Sequence, residues 1–268
     1  MKIGVFDSGL GGLIITKAIL KKLPKYDYLY LGDTKNLPYG QKSAAQIYRL
    51  TQRGVNFLFK NGCKLVIIAC NTASALALHK IQTKYLPKHW PNNRVLGVII
   101  PTLEVADAKH RGQTLAVIGT AATIKSHIYK KELQKIDRRA RIFELPTPGL
   151  VPLIEQNSLQ KAAKLLQFYL EPLQNKGIEA LVLACTHYPI LKASAKKNIG
   201  KKTIVISQDE IIPDKLAGYL KKHREIERVI GKEKRKEFFV TSRSRHFNTI
   251  ARRLFGKRIR FRLAKLEG

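Results

Sequence analysis

Short apolar runs alternate with longer amphipathic segments along the whole sequence. The runs rich in β-branched and large apolar residues are KIGVF, YLYLG, LVIIAC, VLGVII, TLAVIG, ARIFEL, ALVLAC, TIVIS and EFFVT. Segments between them, such as residues 43–62 and 158–177, have apolar residues at helical spacing and a terminal glycine, which predicts helices that stop at that glycine. Strands that alternate with helices predict an α/β fold, with mostly parallel sheets flanked by helices.

A weak internal repeat divides the chain into two similar halves. KIGVFDSGLGGL and TLAVIGTAATI each contain a strand, a polar break, small residues and the start of a helix. Asp7 precedes Cys70 by 63 residues and Thr120 precedes Cys185 by 65. The repeat predicts two lobes related by a pseudo-two-fold axis. Because ligands bind beyond the carboxyl ends of parallel strands, facing lobes would place both cysteines on opposite walls of one cleft, the predicted active site.

The position of these two cysteines, between a strand and a helix, suits acid–base chemistry. A helix N-terminus favours negative charge, so we expect it to lower the thiol pKa toward neutrality and to bind carboxylates through its free N–H groups. The residues expected to cap or begin the helices are Asn71, Thr72, Ser74, Thr186 and Pro189. Two thiols on opposite faces of a carbon atom could remove a proton from one face and return one to the other, which inverts that centre.

Other interpretations of the cysteines are weaker. A single cysteine is more often a small buried apolar residue, and Cys63 is interpreted in that way because it begins an apolar run. Cys70, Cys185 and His187 give one C-x-H pair and a remote thiol, so no metal site is predicted. The spacing does not predict a cysteine protease. Three cysteines do not form a disulfide framework, which favours a reducing cytoplasm.

The glycine-rich segment DSGLGG resembles a phosphate-binding loop only in part. It lacks the full G-x-G-x-x-G pattern, and no P-loop lysine follows, so no nucleotide cofactor is predicted. We expect its glycines to let the backbone approach a small ligand. Asp7, at the end of a predicted strand, is expected to point into the cleft or to cap the following helix, and the two roles are compatible.

Six motifs occur in the order in which one known family has them. They are GVFDSGLGGL, GDTKNLPYG, ACNTASA, IGTAATIKSHIY, GLVPLIE and ACTHYP. On these motifs the chain closely resembles the bacterial glutamate racemases of the aspartate/glutamate racemase family. The resemblance extends over essentially the whole chain, including a closing strand and helix in FFVTSRSRHFNTIARRLFG. The paired cysteine motifs are typical of the wider family, whereas PYG and VPLIE favour glutamate as the substrate.

The resemblance implies cofactor-independent interconversion of L-glutamate and D-glutamate, which supplies D-glutamate for peptidoglycan. One cysteine takes the α-proton as a thiolate, and the other protonates the planar intermediate from the opposite face. By the family pattern, Cys70 serves the D-enantiomer with the assistance of Asp7. Cys185 serves the L-enantiomer with the assistance of His187. Glu155 is a further assisting carboxylate, although its local sequence alone predicts a solvated helix position. The expected substrate contacts are Ser8, Pro38, Tyr39, Gly40, Asn71, Thr72, Thr120, Thr123, Thr186 and His187.

The family fold has two α/β lobes, which sets the expected domain boundaries. The resemblance implies that residues 1–96 and 208–268 form the first lobe and residues 97–207 the second. Three departures from the family pattern are Thr102, Pro146 near a position often held by Cys, and the segment TIVISQDEIIP, which replaces the usual Asp-Ser near the return crossing. None of these departures involves a predicted base.

The charge of the chain favours anionic partners. Fifty Lys and Arg residues against 19 Asp and Glu give a net charge of +31, and the excess is thickest after residue 215. There Arg258, Arg260 and Arg262 alternate with apolar residues, as on a half-exposed strand with a basic face. An alternative function is therefore nonspecific nucleic-acid binding, instead of or beside the enzyme, with a strong dependence on salt. A solvated lysine-rich surface is the simpler interpretation.

Two other racemases are alternatives to the glutamate enzyme. An aspartate racemase would need a tighter pocket for a shorter substrate. A pyridoxal phosphate racemase would need a Schiff-base lysine in a phosphate site, which the paired cysteines make unnecessary. We therefore expect no cofactor and no metal, with glutamate as the small-molecule partner and a homodimer left open. The first residues enter a strand directly and no apolar run approaches the roughly 18 residues of a membrane span, so a cytoplasmic protein without a membrane partner is predicted.

Overall fold

Two parallel sheets form the framework of the protein, and a computed structural model describes it for residues 1–109, 114–243, 249, 251–252, 254–256 and 259–267. The strands are β1 (Lys2–Asp7), β2 (Tyr28–Gly32), β3 (Cys63–Ile68), β4 (Arg94–Gly97), β5 (Thr114–Gly119), β6 (Arg141–Pro146), β7 (Ala180–Ala184), β8 (Ile204–Ile206), β9 (Lys236–Val240) and β10 (Phe261–Leu263). Neighbouring strands pair in parallel throughout both sheets. The predicted α/β class and the parallel pairing are confirmed.

Helices of very different length connect the strands. They are α1 (Gly11–Lys22), α2 (Ala44–Lys60), α3 (Asn71–Leu76), α4 (Leu78–Lys80), α5 (Leu86–His89), α6 (Ile99–Lys109), α7 (Ala121–Lys125), α8 (Ile128–Ile136), α9 (Leu150–Glu155), α10 (Leu159–Leu170), α11 (Lys192–Ile199), α12 (Gln208–Lys222) and α13 (Arg224–Glu227). Short 3-10 segments lie at Thr34–Asn36, Tyr39–Gln41, Glu171–Leu173 and Tyr188–Leu191, and a π-helical turn at Ile81–Tyr85.

The two sheets repeat one strand order. The first sheet has the order β10-β9-β2-β1-β3-β4, and the second has the order β6-β5-β7-β8. In the first sheet β1 lies between β2 and β3, and β4 lies beyond β3. In the second sheet β5 lies between β6 and β7, and β8 lies beyond β7. Strands β9 and β10 extend the first sheet beyond β2. The repeated order confirms the two similar lobes, and the carboxyl ends of β1 and β3 in one lobe correspond to those of β5 and β7 in the other.

Each sheet is buried on both faces, as parallel sheets require. Ile3 and Val5 of β1 pack in a cluster with apolar residues of α1 and α12, while Phe6 packs on the opposite face with residues of α2. In the second lobe, Val117 packs with residues of α6 and α8, and Ile118 with residues of α9, α10 and α11. Alternate residues of each central strand therefore fill two separate cores.

The helix predicted for residues 43–62 forms with the expected signals at both ends. Ser43 occupies the N-cap of α2, where its hydroxyl accepts a hydrogen bond from the backbone N–H of Gln46. The Gln46 side chain in turn accepts from the Ser43 N–H at 3.0 Å, which completes a capping box. Gly62 follows the helix with φ of +84°, a left-handed conformation that glycine adopts without strain.

Two predicted elements end earlier than expected. The run VLGVII predicts a strand, but its last residues already belong to α6, which begins at Ile99 and has Pro101 in its first turn. The helix predicted for residues 158–177 ends at Leu170 rather than at the terminal glycine. Pro172 follows in a 3-10 turn, and it lacks the N–H that would continue the α-helical hydrogen bonds.

The C-terminal region supplies the edge of the first sheet. Strand β10 forms within the predicted basic run, with Phe261 buried and both Arg260 and Arg262 accessible. Arg258 lies outside the described residues, as does part of the predicted closing helix, of which residues 249, 251–252 and 254–255 are helical. None of the described helices has both the length and the apolar composition needed to cross a membrane.

Replacement of Ser43 by alanine removes the capping hydroxyl of α2. We expect the free energy of unfolding to fall by about 1 kcal/mol, since the N–H of Gln46 loses its partner. Urea denaturation followed by circular dichroism measures the change. The matched control is Ser158→Ala, because Ser158 occupies the N-cap of α10 without a side-chain capping bond. Equal losses in the two variants would contradict the assignment of the cap.

Candidate active site

A small cavity lies between the lobes, where β1, β3, β5 and β7 end. Its volume is about 70 Å³, which corresponds to roughly five to seven water-sized spheres. The predicted residues that line it are Ser8, Pro38, Tyr39, Gly40, Cys70, Asn71, Thr72, Thr120, Cys185, Thr186 and His187. The structure thus brings most of the predicted site together around a space that suits a small molecule. Asp7, Thr123 and Glu155 do not line the cavity but contact residues that do.

Cys70 lies two residues beyond β3, with its side chain almost completely buried. Its sulfur is 3.4 Å from the hydroxyl oxygen of Ser8. Burial and the nearby Asp7 carboxylate raise the pKa of the Cys70 thiol to about 12, although Ser8 and the Ala73 N–H act in the opposite direction. The expectation of a lowered pKa is wrong for Cys70, because loss of hydration outweighs the effect of the helix N-terminus.

The residues expected to cap α3 do not do so. Cys70 itself occupies the N-cap position, and Asn71 and Thr72 are already helical. The hydroxyl of Ser74 donates to the carbonyl oxygen of Ile68 at 2.9 Å, so it binds back to the preceding strand. The side chains of Asn71 and Thr72 are therefore available for contacts across the cleft rather than for the helix terminus.

Cys185 contacts a histidine that in turn contacts a carboxylate. The sulfur lies 3.7 Å from Nδ1 of His187, and Nε2 of His187 lies 2.5 Å from Oε1 of Glu155. A 3-10 turn over Tyr188–Leu191, with Pro189 in its first turn, separates Cys185 from α11. We expected Cys185 at the start of an α-helix, and it does not lie there. Its neighbouring polar group is instead the His187 imidazole, which is paired with Glu155.

The proton affinity of His187 reflects these two contacts. Burial lowers the pKa of His187, but the hydrogen bonds with Cys185 and Glu155 and the charge of Glu155 raise it well above its ordinary value. Glu155 is not a solvated helix residue, since its side chain is only 21% exposed and also accepts a hydrogen bond from the Leu10 N–H at 3.3 Å. The local sequence of α9 gave no signal for this position; the family resemblance did.

Asp7 is completely buried behind the cavity wall. Its Oδ2 accepts hydrogen bonds from the backbone N–H groups of Gly9 at 2.9 Å and Gly12 at 3.0 Å, and its Oδ1 accepts one from the Thr186 hydroxyl at 3.2 Å. Burial raises the pKa of Asp7 to about 6, against the opposing effects of His187 and of these hydrogen bonds. The carboxylate therefore fixes the turn before α1 and joins it to the other lobe.

Three threonine hydroxyls form a closed triangle between the lobes. Thr72 of α3 lies 2.9 Å from Thr120 and 3.1 Å from Thr123, and the last two lie 2.9 Å apart. Thr72 and Thr120 line the cavity, whereas Thr123 is completely buried beneath them. Thr123 thus contacts two predicted substrate-binding residues rather than the cavity.

Two glycines let the lobes approach closely. A Cβ atom at Gly11 would lie 2.3 Å from the hydroxyl oxygen of Thr186, and one at Gly40 would lie 2.6 Å from Cβ of Thr120. Both contacts cross from the first lobe to the second. Gly11 therefore makes room for the facing backbone rather than for a ligand, which differs from the expectation for the DSGLGG segment.

A buried carboxylate orders the loop that carries Tyr39. Asp33 accepts hydrogen bonds from the Tyr39 hydroxyl at 2.7 Å, from the Thr241 hydroxyl at 2.8 Å and from the Asn36 amide at 3.0 Å. The hydroxyl of Tyr39 is thus bonded to Asp33, while Tyr39 also lines the cavity. Among the described residues, no group of three or more His, Cys, Asp or Glu side chains could hold a metal ion.

Comparison with known proteins agrees with this geometry. A sequence profile described as the Asp/Glu/hydantoin racemase family matches residues 3–211. The chain belongs to this family. A glutamate racemase from Cereibacter sphaeroides is 33% identical over 98% of this chain and 100% of its own length. A glutamate racemase isoform from Bacillus anthracis superposes with a TM-score of 0.89 at 31% identity, with 99% of this chain and 97% of that chain covered.

A second solved structure of the family contains a ligand. The glutamate racemase from Francisella tularensis, solved in complex with D-glutamate, superposes with a TM-score of 0.88 at 31% identity, over 99% of this chain and 98% of that chain. Family membership explains why the six motifs converge on one cavity. Sequence reasoning missed the other residues of the cavity wall, which are Leu37, Gln41, Ala121, Thr147, Pro148, Gly149, Val151 and Pro152. Leu37 lies in the motif GDTKNLPYG, Ala121 in IGTAATIKSHIY, and the last three residues in GLVPLIE, whereas Gln41, Thr147 and Pro148 lie outside all six motifs.

The raised pKa of Cys70 predicts slow alkylation of this racemase at neutral pH. In a Cys63→Ser, Cys185→Ser background, we expect the rate of iodoacetamide labelling to rise about tenfold for each pH unit between pH 7 and 10, since the thiolate is the nucleophile. Mass spectrometry follows the labelling. The same protein in urea serves as the control, where the rate should level off above about pH 8.5. A similar plateau in the folded protein would contradict the raised pKa.

Replacement of Glu155 by glutamine removes the charge that stabilises a protonated His187. We expect the pKa of His187 to fall by about one pH unit or more, because an opposite charge in contact favours the charged imidazole. NMR titration of the imidazole C–H signals measures the change. Glu171→Gln is the control, since Glu171 is exposed and remote from His187. An unchanged titration in Glu155→Gln would rule out the contact.

Proposed function

We propose that this protein interconverts L-glutamate and D-glutamate without a cofactor, by proton transfer between the α-carbon and two cysteines. The observation that carries the proposal is that Cys70 and Cys185 reach one small cavity from equivalent positions in the two lobes. A substrate held between them would present opposite faces of its α-carbon to the two sulfur atoms. A base on one face and an acid on the other invert that centre.

Cys185 is proposed to act on the L-enantiomer. Its proton passes to Nδ1 of His187, and the Glu155 carboxylate stabilises the resulting imidazolium through Nε2. The raised pKa of His187 supports this step, because it favours the imidazolium over the neutral ring. After proton abstraction from the substrate, Cys185 is a thiol. In the reverse direction it starts as the thiol and donates.

Cys70 is proposed to act on the D-enantiomer. A thiol of high pKa is a weak acid but gives a strong base once it is ionised, which suits removal of a proton from carbon. The ammonium group of bound glutamate would bring positive charge close to Cys70 and Asp7, and we expect it to lower the pKa of both groups. Ionisation of the Cys70 thiol releases a proton, which Asp7 is proposed to accept, since burial raises the pKa of its carboxyl to about 6. Ser8 supplies the contact with the Cys70 sulfur.

The two carboxylates of glutamate need several donors. Ser8, Asn71, Thr72 and Thr120 line the cavity and carry hydroxyl or amide groups, and Thr186, whose hydroxyl donates to Asp7, is proposed to offer its backbone N–H. Hydrogen bonds to ionised acceptors are stronger than those between neutral groups. Pro38, Tyr39 and Gly40 are proposed to close one side of the pocket. Thr123 is proposed to act from beneath through Thr72 and Thr120.

The lobes and the biological role complete the proposal. We assign residues 1–96 and 208–268 to the first lobe and residues 97–207 to the second; in support, β1 to β4 and β9 to β10 lie in one sheet and β5 to β8 in the other. The D-glutamate produced would supply peptidoglycan synthesis in the cytoplasm. Formation of a homodimer stays a prediction.

Nonspecific nucleic-acid binding is a second candidate, favoured by one basic groove. The groove has a volume of about 790 Å³ beside β9 and β10. Lys17, Lys21, Lys236 and Arg260 line it, and no carboxylate among the described residues pairs with any of their side chains. Glu237, the acidic residue of the groove, is already paired with other cations. Such a groove would attract phosphates in a salt-dependent manner.

Incubation with L-glutamate in deuterated water tests the two-base mechanism. We expect inversion by the wild type and by Cys63→Ser, and a loss of at least a thousandfold in Cys70→Ser and in Cys185→Ser, because each direction needs both thiols. Circular dichroism follows inversion, and NMR follows deuterium at the α-carbon. Early in the reaction deuterium should enter the D-product while the remaining L-glutamate keeps its proton. Turnover of aspartate in place of glutamate would move the assignment to an aspartate racemase.

A further inference from the structure

Three buried polar side chains from different elements meet beside Cys70. Asn71 begins α3, Tyr129 belongs to α8, and Gln208 begins α12 at the return crossing between the lobes. Their side chains are between 0% and 2% exposed. Tyr129 comes from the second lobe and Asn71 from the first. The sequence separations of 58 and 137 residues explain why no local motif indicated the cluster.

The hydrogen bonds of this cluster use almost all the capacity of the Asn71 amide. Its Oδ1 accepts from the Tyr129 hydroxyl at 2.6 Å and from Nε2 of Gln208 at 2.8 Å. Its Nδ2 donates to Oε1 of Gln208 at 2.7 Å. Because an amide has two acceptor sites and two N–H groups, the remaining capacity is a single N–H. Asn71 also lines the cavity, so its side chain has one N–H group left to donate to a ligand.

We propose that Gln208 and Tyr129 are positioning residues, which hold the Asn71 amide with its free N–H available to a carboxylate of the substrate. The inference rests on the proposed racemase function and assigns a role to two residues outside the cavity wall. Without them the amide could rotate and present its oxygen, which repels a carboxylate. Since Tyr129 lies in the second lobe, the orientation of this donor also depends on contact between the lobes.

Two substitutions disturb the orientation without removing Asn71. In Gln208→Glu a carboxylate oxygen replaces the Nε2 donor and repels Oδ1, so the amide loses one of the two donors that hold its oxygen away from the cavity. In Tyr129→Phe the other donor to Oδ1 is lost, while the ring is kept. For each variant we expect KM for D-glutamate and L-glutamate to rise about tenfold to a hundredfold, as for the loss of a hydrogen bond to a charged group, with kcat changed less than threefold.

A double-mutant cycle separates positioning from a general structural effect. In an Asn71→Ala background, Tyr129→Phe should have no further effect on KM, because the group that it positions is absent. Gln167→Glu, on the exposed face of α10, is the control for the added charge and should leave KM unchanged. Circular dichroism at the assay temperature confirms that each variant is folded. If Gln208→Glu does not fold, Tyr129→Phe and its cycle decide the question.

The outcomes distinguish this inference from the function on which it rests. A wild type that does not racemise glutamate overturns the proposed function and the positioning role with it. An active wild type with unchanged KM in Tyr129→Phe overturns the positioning role alone. Additive effects of Tyr129→Phe and Asn71→Ala on KM would also overturn it, since they would show that Tyr129 acts independently of the amide.

Discussion

Parallel pairing makes all strands of a sheet end at the same edge, because each connection between neighbours must return along the sheet, usually through a helix. In this protein the constraint acts twice with one strand order, so the residues after β1, β3, β5 and β7 converge from two sides. Close contact between the lobes then depends on the absence of side chains at Gly11 and Gly40. The cavity exists because these two conditions are met together.

Different neighbouring side chains give the two equivalent cysteines different chemistry. Cys70 has a hydroxyl and a carboxylate near its sulfur, and both its burial and that carboxylate oppose ionisation. Cys185 has an imidazole beside its sulfur, and the contact of that ring with Glu155 raises the pKa of His187. The lobes thus repeat a backbone arrangement but not an electrostatic environment. Such a difference suits the proposed reaction, because L-glutamate and D-glutamate are mirror images and place their charged groups differently around the two sulfur atoms.

The sequence predicted what depends on local pattern. Apolar periodicity predicted the parallel sheets, and the repeated Ala-Cys runs predicted that Cys70 and Cys185 would share a cleft. The roles of Glu155 and His187 came from family resemblance, since nothing in the local sequence indicated that these side chains meet.

What could not be predicted depends on burial and on distant contacts. The pKa of Cys70 was expected to fall because the helix N-terminus is visible in the sequence, while complete desolvation is not. Asn71 and Thr72 were expected to cap α3, but their strongest partners lie in the other lobe or at the crossing. Gln208 departs from the family pattern and was noted only as a departure. Its amide pairs with a residue 137 positions away.

The triangle of Thr72, Thr120 and Thr123 has a property that none of its members has alone. Each hydroxyl donates one hydrogen, so the ring closes in either of two senses, and a change of sense moves three protons without moving any heavy atom. Neighbouring hydrogen bonds polarise one another, so each of the three strengthens the next. When an anion takes the hydrogen of one hydroxyl, the ring opens, and the other two hydroxyls keep donating along the chain toward the first oxygen. The junction of the lobes can therefore turn one donor to the cavity and still keep two of its three hydrogen bonds.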